Sequence, residues 1–316
     1  MDGKVIVVAI GGNSLIQNPK EPTVNRQWDA VRSTTDEIAK LVAAGYRVIV
    51  THGNGPQVGY ILQRSEIATK HSGIHPVPLD LVVADTQGSI GYMIQQALDN
   101  SIRRLGIART VITMVTQVEV DPNDPAFQNP TKPIGGFMSQ EEAMKLKEQG
   151  LPVVEDAGRG WRRVVPSPKP RKIHEFIPIH DLMMQGYIVV ACGGGGVPVM
   201  RNEMGSLRGL EAVIDKDLAS SVLAQMVRAD IFLISTGVQQ VALNFNTPEQ
   251  RTLAAMTLRE ARQYTSEGHF KPGSMLPKVE ACVDFVQNGG PLAIITNPEN
   301  LLSAVQGETG TRVIPG

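Results

Sequence analysis

Cysteine is scarce in this chain: Cys192 and Cys282 stand far apart, with no C-x-x-C spacing. That excludes a disulfide framework and fits a reducing compartment in which both are small buried residues. An excess of one charge sign is also missing, since 30 Lys and Arg face 31 Asp and Glu, a formal net charge of −1. No basic bulk is available for nucleic acid or an anionic membrane, so any positive charge that matters must be local. No apolar stretch reaches the about 18 residues of a membrane span, and a first strand starting at Val5 leaves no room for a signal peptide. A cytoplasmic protein is expected. There is no G-x-x-x-x-G-K-S/T, no G-x-S-x-G, no H-E-x-x-H and no cysteine or histidine cluster suited to zinc. Internal repeats and low-complexity tracts are absent too.

What is present begins at Val5–Ser14, VIVVAIGGNS. A β-branched run ending at Gly11-Gly12-Asn13 reads as a strand buried on both faces, as in a parallel sheet. Ligands of open parallel sheets lie beyond the carboxyl ends of the strands, where glycines expose backbone N–H groups to an anion. One Gly-Gly pair alone is equally a tight turn. The pattern recurs, however, at Arg47–Gly55 (RVIVTHGNG), Ile188–Gly196 (IVVACGGGG) and, more weakly, Ile231–Gly237 (IFLISTG). Several such loops along one sheet edge form a pocket rich in donors, suited to a polyphosphate. The dinucleotide fingerprint fails, because Gly53-x-Gly55 reaches its next glycine only at Gly59 and the Gly193–Gly196 run meets Pro198.

With 316 residues, 42% of them hydrophobic, the chain suffices for one large α/β domain with an insertion or for two modest domains. Helical periodicity from Trp28 to Val42 ends at Gly45, and a longer helix is predicted from about Asp80 to Arg104, its apolar face including Leu81, Ile90, Met93, Ile94, Ala97, Leu98 and Ile102. Pro56 at a first helical position puts Gly53-Asn54-Gly55 over a helix N-terminus. His52, beside it, either polarises a substrate or packs against the loop backbone. A strand is predicted at Val111–Val118. Helices are predicted at Asp215–Arg228, at Thr247–Gln263 behind a Thr247-Pro248-Glu249-Gln250 capping box, and from Pro277 as the last helix, with a final strand at Leu292–Thr296. Alternating strands and helices imply a mainly parallel sheet covered on both faces.

Composition shifts at 121–172, where eight of the 21 prolines fall with Trp161 and a basic cluster of Arg159, Arg162, Arg163, Lys169, Arg171 and Lys172. A capped helix, Ser139-x-x-Glu142, is predicted inside it. The segment reads either as a small lobe or lid projecting from the sheet, or as a solvated connector.

Two lysines stand where a helix dipole disfavours them. Asp215 is a natural N-cap with Lys216 at the first helical position, and Pro277 places Lys278 second in its helix. A cation at a positive helix end costs roughly 0.3–1 kcal/mol. Replacing either lysine by alanine should therefore leave the apo fold intact or slightly more stable, unless both simply bend into solvent. A bound polyanion reverses the sign, and Asp217 between them could hold both ammonium groups or help to orient Mg²⁺. Backbone cradles plus lysine charges, with no covalent nucleophile, suit phosphoryl transfer, with Mg²⁺ entering on the nucleotide.

Taken together, AIGGNSL at 9–15, THGNGPQVG at 51–59, KPIGGFM at 132–138, GRGWRRVVPSPKP at 158–170, ACGGGGVPV at 191–199, AVIDKDLASSVLA at 212–224 and HFKPGSMLPKVEA at 269–281 resemble the carbamate kinases of the amino acid kinase family. The resemblance runs nearly end to end. It implies a single domain over 1–316 with an acetylglutamate kinase-like α/β fold: about eight mainly parallel strands between helices, with a protruding lid subdomain at 121–172. It implies a homodimer, Mg²⁺ with ATP or ADP, and phosphoryl transfer between ATP and carbamate, with ATP synthesis from carbamoyl phosphate, as in arginine breakdown, as one working direction. It places Gly11, Gly12 and Asn13 on the transferred phosphoryl group, and Gly53, Asn54 and Gly55 on that group and the small substrate. Lys216, Asp217, Lys278, Ser235, Gly237 and Met275 fall on the nucleotide side, with Asp217 organising the lysines. Two departures matter. Related kinases carry a lysine where this chain has Ala9, and the resemblance implies that Lys132 of KPIG supplies that charge from the lid. Gln239 stands where an acidic residue is common, which affects nucleotide-side contacts. Rival readings are a kinase of an acylated or free amino acid, a non-catalytic nucleotide sensor and, more weakly, a dinucleotide-dependent oxidoreductase.

Overall fold

The computed structural model describes residues 3–11, 23–155 and 160–316. The first half of the chain runs β1 (Val5–Ile10), α1 (Val24–Ala43), β2 (Arg47–His52), α2 (Gln57–Ser72), α3 (Leu79–Arg104), β3 (Val111–Thr113), β4 (Gln117–Val120), β5 (Lys132–Met138), α4 (Gln140–Glu148), β6 (Val153–Glu155), β7 (Trp161–Val165) and β8 (Pro170–Ile173). The second half continues with α5 (Phe176–Met184), β9 (Ile188–Val190), β10 (Val197–Arg201), β11 (Leu207–Gly209), α6 (Lys216–Met226), β12 (Ile231–Ser235), β13 (Val241–Leu243) and β14 (Arg251–Leu253). It ends with β15 (Ala255–Thr257), α7 (Leu258–Ser266), α8 (Leu276–Gln287), β16 (Ala293–Thr296), α9 (Leu301–Gln306) and β17 (Thr311–Ile314).

The main sheet has eight strands in the order β15-β17-β16-β12-β1-β2-β9-β3. Neighbours from β16 to β3 are parallel, whereas β17 runs antiparallel to β16. Alternation along β1 explains its continuous apolar run. Val5, Val7 and Ala9 face a core shared with α5, α6, α7 and α8, and Ile6, Val8 and Ile10 face α1, α3 and α9. With both faces covered, every residue of β1 is buried.

The segment expected at 121–172 builds secondary structure of its own, an antiparallel sheet in the order β5-β7-β6 with α4 beside it. The capping box of α4 forms as predicted, Ser139 and Glu142 each satisfying the other's backbone N–H. This small sheet lies between β4 and β8, which pair with each other in a separate four-stranded sheet, β11-β10-β4-β8.

Four local expectations fail for identifiable reasons. The strand expected over Val111–Val118 is two strands in two sheets. It breaks at Thr116, whose N–H and C=O are both taken by the Gln87 side chain, at 2.8 and 3.0 Å, while its hydroxyl accepts the Cys192 N–H at 3.0 Å. The helix expected over Thr247–Gln263 is absent: the Thr247 hydroxyl donates to Asn244 O in a turn, β14 and β15 follow, and α7 starts behind a different capping box, Thr257 with Glu260. The helix at Pro277 begins one residue earlier and is not the last, since α9 and β17 follow. Leu81 points outward at 53% exposure, and Val82 and Val83 hold the buried positions.

Candidate active site

Strand register brings the loops together. Ile10 pairs with His52 on one side and with Ser235 on the other, so Gly11, Gly53 and Thr236 emerge side by side at one sheet edge. Val190 pairs with Val50, which brings Cys192 and Gly193–Gly196 to the same edge. Gly12 and Asn13 lie outside the described residues. Space is tight at Gly11, where a Cβ would sit 3.1 Å from the backbone Ser235 O and push that strand slightly aside. The Ser235 hydroxyl is buried without a hydrogen-bond partner among the described residues.

The lysines converge at the first turn of α6. Lys216 Nζ lies 2.5 Å from Asp217 Oδ1, and Lys278 Nζ, reaching over from α8, lies 3.2 Å from Asp217 Oδ2. Asp217 is 2% exposed and contacts both ammonium groups. The Lys216 stem passes under Gly53, where a Cβ would be 3.2 Å from its Cδ. Burial lowers the pKa of Lys216, and Asp217 beside it acts in the opposite direction. Lys132, on β5, completes the group: its Nζ is 2.5 Å from Asp215 Oδ2, while Asp215 Oδ1 caps α6 through the Asp217 N–H at 2.9 Å. Burial pushes the Asp215 carboxyl up, but the Lys132 ammonium more than offsets this, aided by Lys216 and the Asp217 N–H, and holds it well below its usual range. Three ammonium groups thus meet two carboxylates at a helix N-terminus. The balance favours an incoming polyanion.

This geometry changes one expectation. The lysines were expected to be free to leave without loss of apo stability, yet their helix-end penalty is already offset by Asp217, and the Lys216 side chain is only 11% exposed. Their removal should cost apo stability instead, as argued below.

Asn54 is engaged on both sides. The Thr86 hydroxyl of α3 donates to its Oδ1 at 2.7 Å, and its Nδ2 donates to Gly194 O at 3.4 Å. Gly194 has φ +67° and leaves no room for a Cβ, which would fall 2.0 Å from Asn54 Oδ1. Thr86 thus braces two of the glycine loops against α3, and no sequence pattern had marked it. Gly55, with φ +55°, turns the chain into α2. Of the remaining positions, Gly237 is exposed just beyond β12, and Met275, the residue before α8, is half-buried. Gln239 turns to Thr309, its Nε2 donating to that hydroxyl at 2.7 Å.

His52 packs against the loop. It is 1% exposed and donates from Nδ1 to Gly53 O at 2.9 Å, the tautomer fixed because a carbonyl only accepts. Burial, with the charge of Lys216, lowers its pKa to about 4 against the opposing pull of the Gly53 carbonyl. The sign follows from linkage. An unfolded histidine takes up a proton near pH 6.5 and the folded one does not until about 4, so stability falls on acidification between these values. The full effect is about 3 kcal/mol. Urea melts at several pH values should show a flatter acid limb for His52→Gln than for wild type.

Both thiols are buried, which raises their pKa values and makes them inert. Among the described residues no three His, Cys, Asp or Glu side chains gather as a metal site. No helix among them is long and apolar enough to cross a membrane.

The amino acid kinase family model matches residues 4–297. Carbamate kinase from Thermococcus kodakarensis is 50% identical over 313 residues, covering 98% of this chain and 99% of its own length. The carbamate kinase-like protein YahI of Escherichia coli is 48% identical with the same coverage. Carbamate kinase from Giardia lamblia bound to AMP-PNP superposes with a TM-score of 0.91 at 41% identity, over 99% of each chain. The chain belongs to the amino acid kinase family and, within it, to the carbamate kinases.

Proposed function

We propose that the chain catalyses reversible phosphoryl transfer between ADP and carbamoyl phosphate, giving ATP and carbamate. The observation that carries this reading is the meeting of Lys132, Lys216 and Lys278 on two carboxylates at the edge where the glycine loops emerge. In the direction of ATP synthesis, a terminal oxygen of ADP attacks phosphorus, the bond from phosphorus to the carbamoyl oxygen breaks, and carbamate leaves with that electron pair. Such a transition state needs positioning and charge neutralisation rather than a protein nucleophile.

Lys216 and Lys278 neutralise nucleotide phosphates on either side of Asp217, which keeps the two ammonium groups apart and aimed. Lys132 contacts the transferred phosphoryl group from the small sheet, which acts as a lid and supplies the charge that Ala9 does not. Backbone N–H groups of Gly11 and Gly12, with Asn13, hold the same group, and Gly53, Asn54 and Gly55 hold it together with carbamate. Ser235, Gly237 and Met275 flank the nucleotide. The carboxylates nearest the phosphates already hold lysines, so Mg²⁺ fits best as an ion carried by nucleotide oxygens and water, where it would neutralise phosphate charge. A homodimer working in the cytoplasm, in carbamoyl phosphate and arginine catabolism, is consistent with this chemistry.

The test is donor choice. With ADP and Mg²⁺, carbamoyl phosphate should yield ATP, and acetyl phosphate or an acylated glutamyl phosphate much less. Preference for the glutamyl compound would move the chain to a neighbouring branch of the family.

A further inference from the structure

Helix α2 meets the small sheet through bare backbone. A Cβ built on Gly59 would lie 2.0 Å from Gly135 Cα and 2.3 Å from Gly135 N, and main-chain atoms cannot swing aside as a side chain does. The reverse contact is looser: a Cβ on Gly135 would stand 3.4 Å from Gly59 Cα. Gly135 is therefore held to glycine by its φ of +70°, and Gly59 by space. The contact falls in an irregularity of β5, whose register on β7 shifts between Ile134 and Met138. There the Gly135 carbonyl accepts Arg162 Nη2 at 2.9 Å. Further along α2, Glu66 pairs with Arg163 of β7 at 2.6 Å. Three residues before Gly135, on the same strand, stands Lys132, paired with Asp215 at the start of α6.

We propose that Gly59 is a positioning residue: its bare Cα seats β5 on α2 and so fixes where the Lys132 ammonium stands over the first turn of α6. This rests on the role of Lys132 given above. Val58 and Leu62 anchor α2 in a core shared with Ile134 of β5 and Val165 of β7, so an added methyl group at position 59 cannot be absorbed by the helix. The strand must lift instead. Displacement of a reacting group by about 1 Å can cost two orders of magnitude in rate. Alanine is the better helix former, so the substitution brings no local helical penalty to α2.

The test is Gly59→Ala, assayed for kcat, for the KM of ADP and by thermal melt. The expected result is a 10- to 100-fold fall in kcat, a KM within twofold of wild type, and retained folding. Gly88→Ala, at an exposed glycine of α3 with nothing within 4 Å of a built Cβ, should leave kcat unchanged. Because Gly59 acts through Lys132, the double variant Gly59→Ala with Lys132→Ala should lose no more than Lys132→Ala alone. Wild-type kcat in Gly59→Ala, or losses that multiply in the double variant, would overturn the inference. If Gly59→Ala does not fold, Arg162→Met replaces it, removing the bond to Gly135 without adding atoms to the contact. A lowered kcat that does not compound with Lys132→Ala supports the seat, and an unchanged or compounding one overturns it. Should Lys132→Ala itself keep full kcat, the role assigned to Lys132 fails and this inference with it. If only Gly59→Ala keeps full kcat, this inference alone fails.

Discussion

Lys132→Ala is expected to lose about 10²–10³ in kcat, some 3–4 kcal/mol of transition-state stabilisation, while binding ADP nearly as wild type does. In the role proposed above, the transferred group lies beyond Gly11 on a strand that carries Ala9 in place of a lysine, so its facing charge comes from another element. Lys132 is the remaining ammonium of the cluster, and it alone is carried by the small sheet. In the described structure it rests on Asp215, also the N-cap of α6. Calorimetry with ADP and steady-state rates with carbamoyl phosphate separate the two quantities. Weakened ADP binding with an unchanged kcat would place Lys132 on the nucleotide instead.

Asp217→Asn is expected to damage both rate and fold. Asp217 is 2% exposed and neutralises Lys216 and Lys278 together. Without its charge, two ammonium groups face each other at a helix N-terminus, both on largely buried side chains. Removing one partner from a buried ion pair typically costs about 3–5 kcal/mol. Lys216→Ala leaves Asp217 with Lys278 alone and should destabilise the apo protein by less. A diagnostic sign separates repulsion from general damage: ADP should raise the melting temperature of Asp217→Asn more than that of wild type, because phosphate then supplies the missing counter-charge. An equal or smaller ADP shift would mean that Asp217 serves packing and capping rather than the lysines.

The parts of this site legible in the sequence are those written in adjacent residues. Asp215-Lys216-Asp217 shows a cap, a misplaced cation and its counter-ion within one turn, and Pro277-Lys278 repeats the misplaced cation. The pairing of Lys132 with Asp215 was not legible, because those residues are 83 positions apart and their meeting depends on how β5 crosses α2. Thr86 and Gln87 escaped for a similar reason: they interrupt the apolar face of α3 as ordinary polar residues, and their worth lies in the loops they reach. The false helix at Thr247 shows the opposite error. Thr-Pro-Glu-Gln satisfies a capping pattern, but the strands at Arg251–Leu253 and Ala255–Thr257 take the chain that would have followed it, and the pairing of β15 with β17 decides the outcome. The central strands of the main sheet were legible as continuous apolar runs, most of them ending at a glycine loop, whereas the count of about eight came only from the family resemblance, and the edge strands β15 and β17 carried no such run.

The most direct measurement is a ³¹P NMR time course of carbamoyl phosphate, ADP and Mg²⁺ with the purified protein. The account predicts that the carbamoyl phosphate resonance falls as the γ-phosphate resonance of ATP rises in equal amount, far faster than without protein. Decay of carbamoyl phosphate to inorganic phosphate at its rate in buffer, with ADP unchanged and the protein folded, would contradict it.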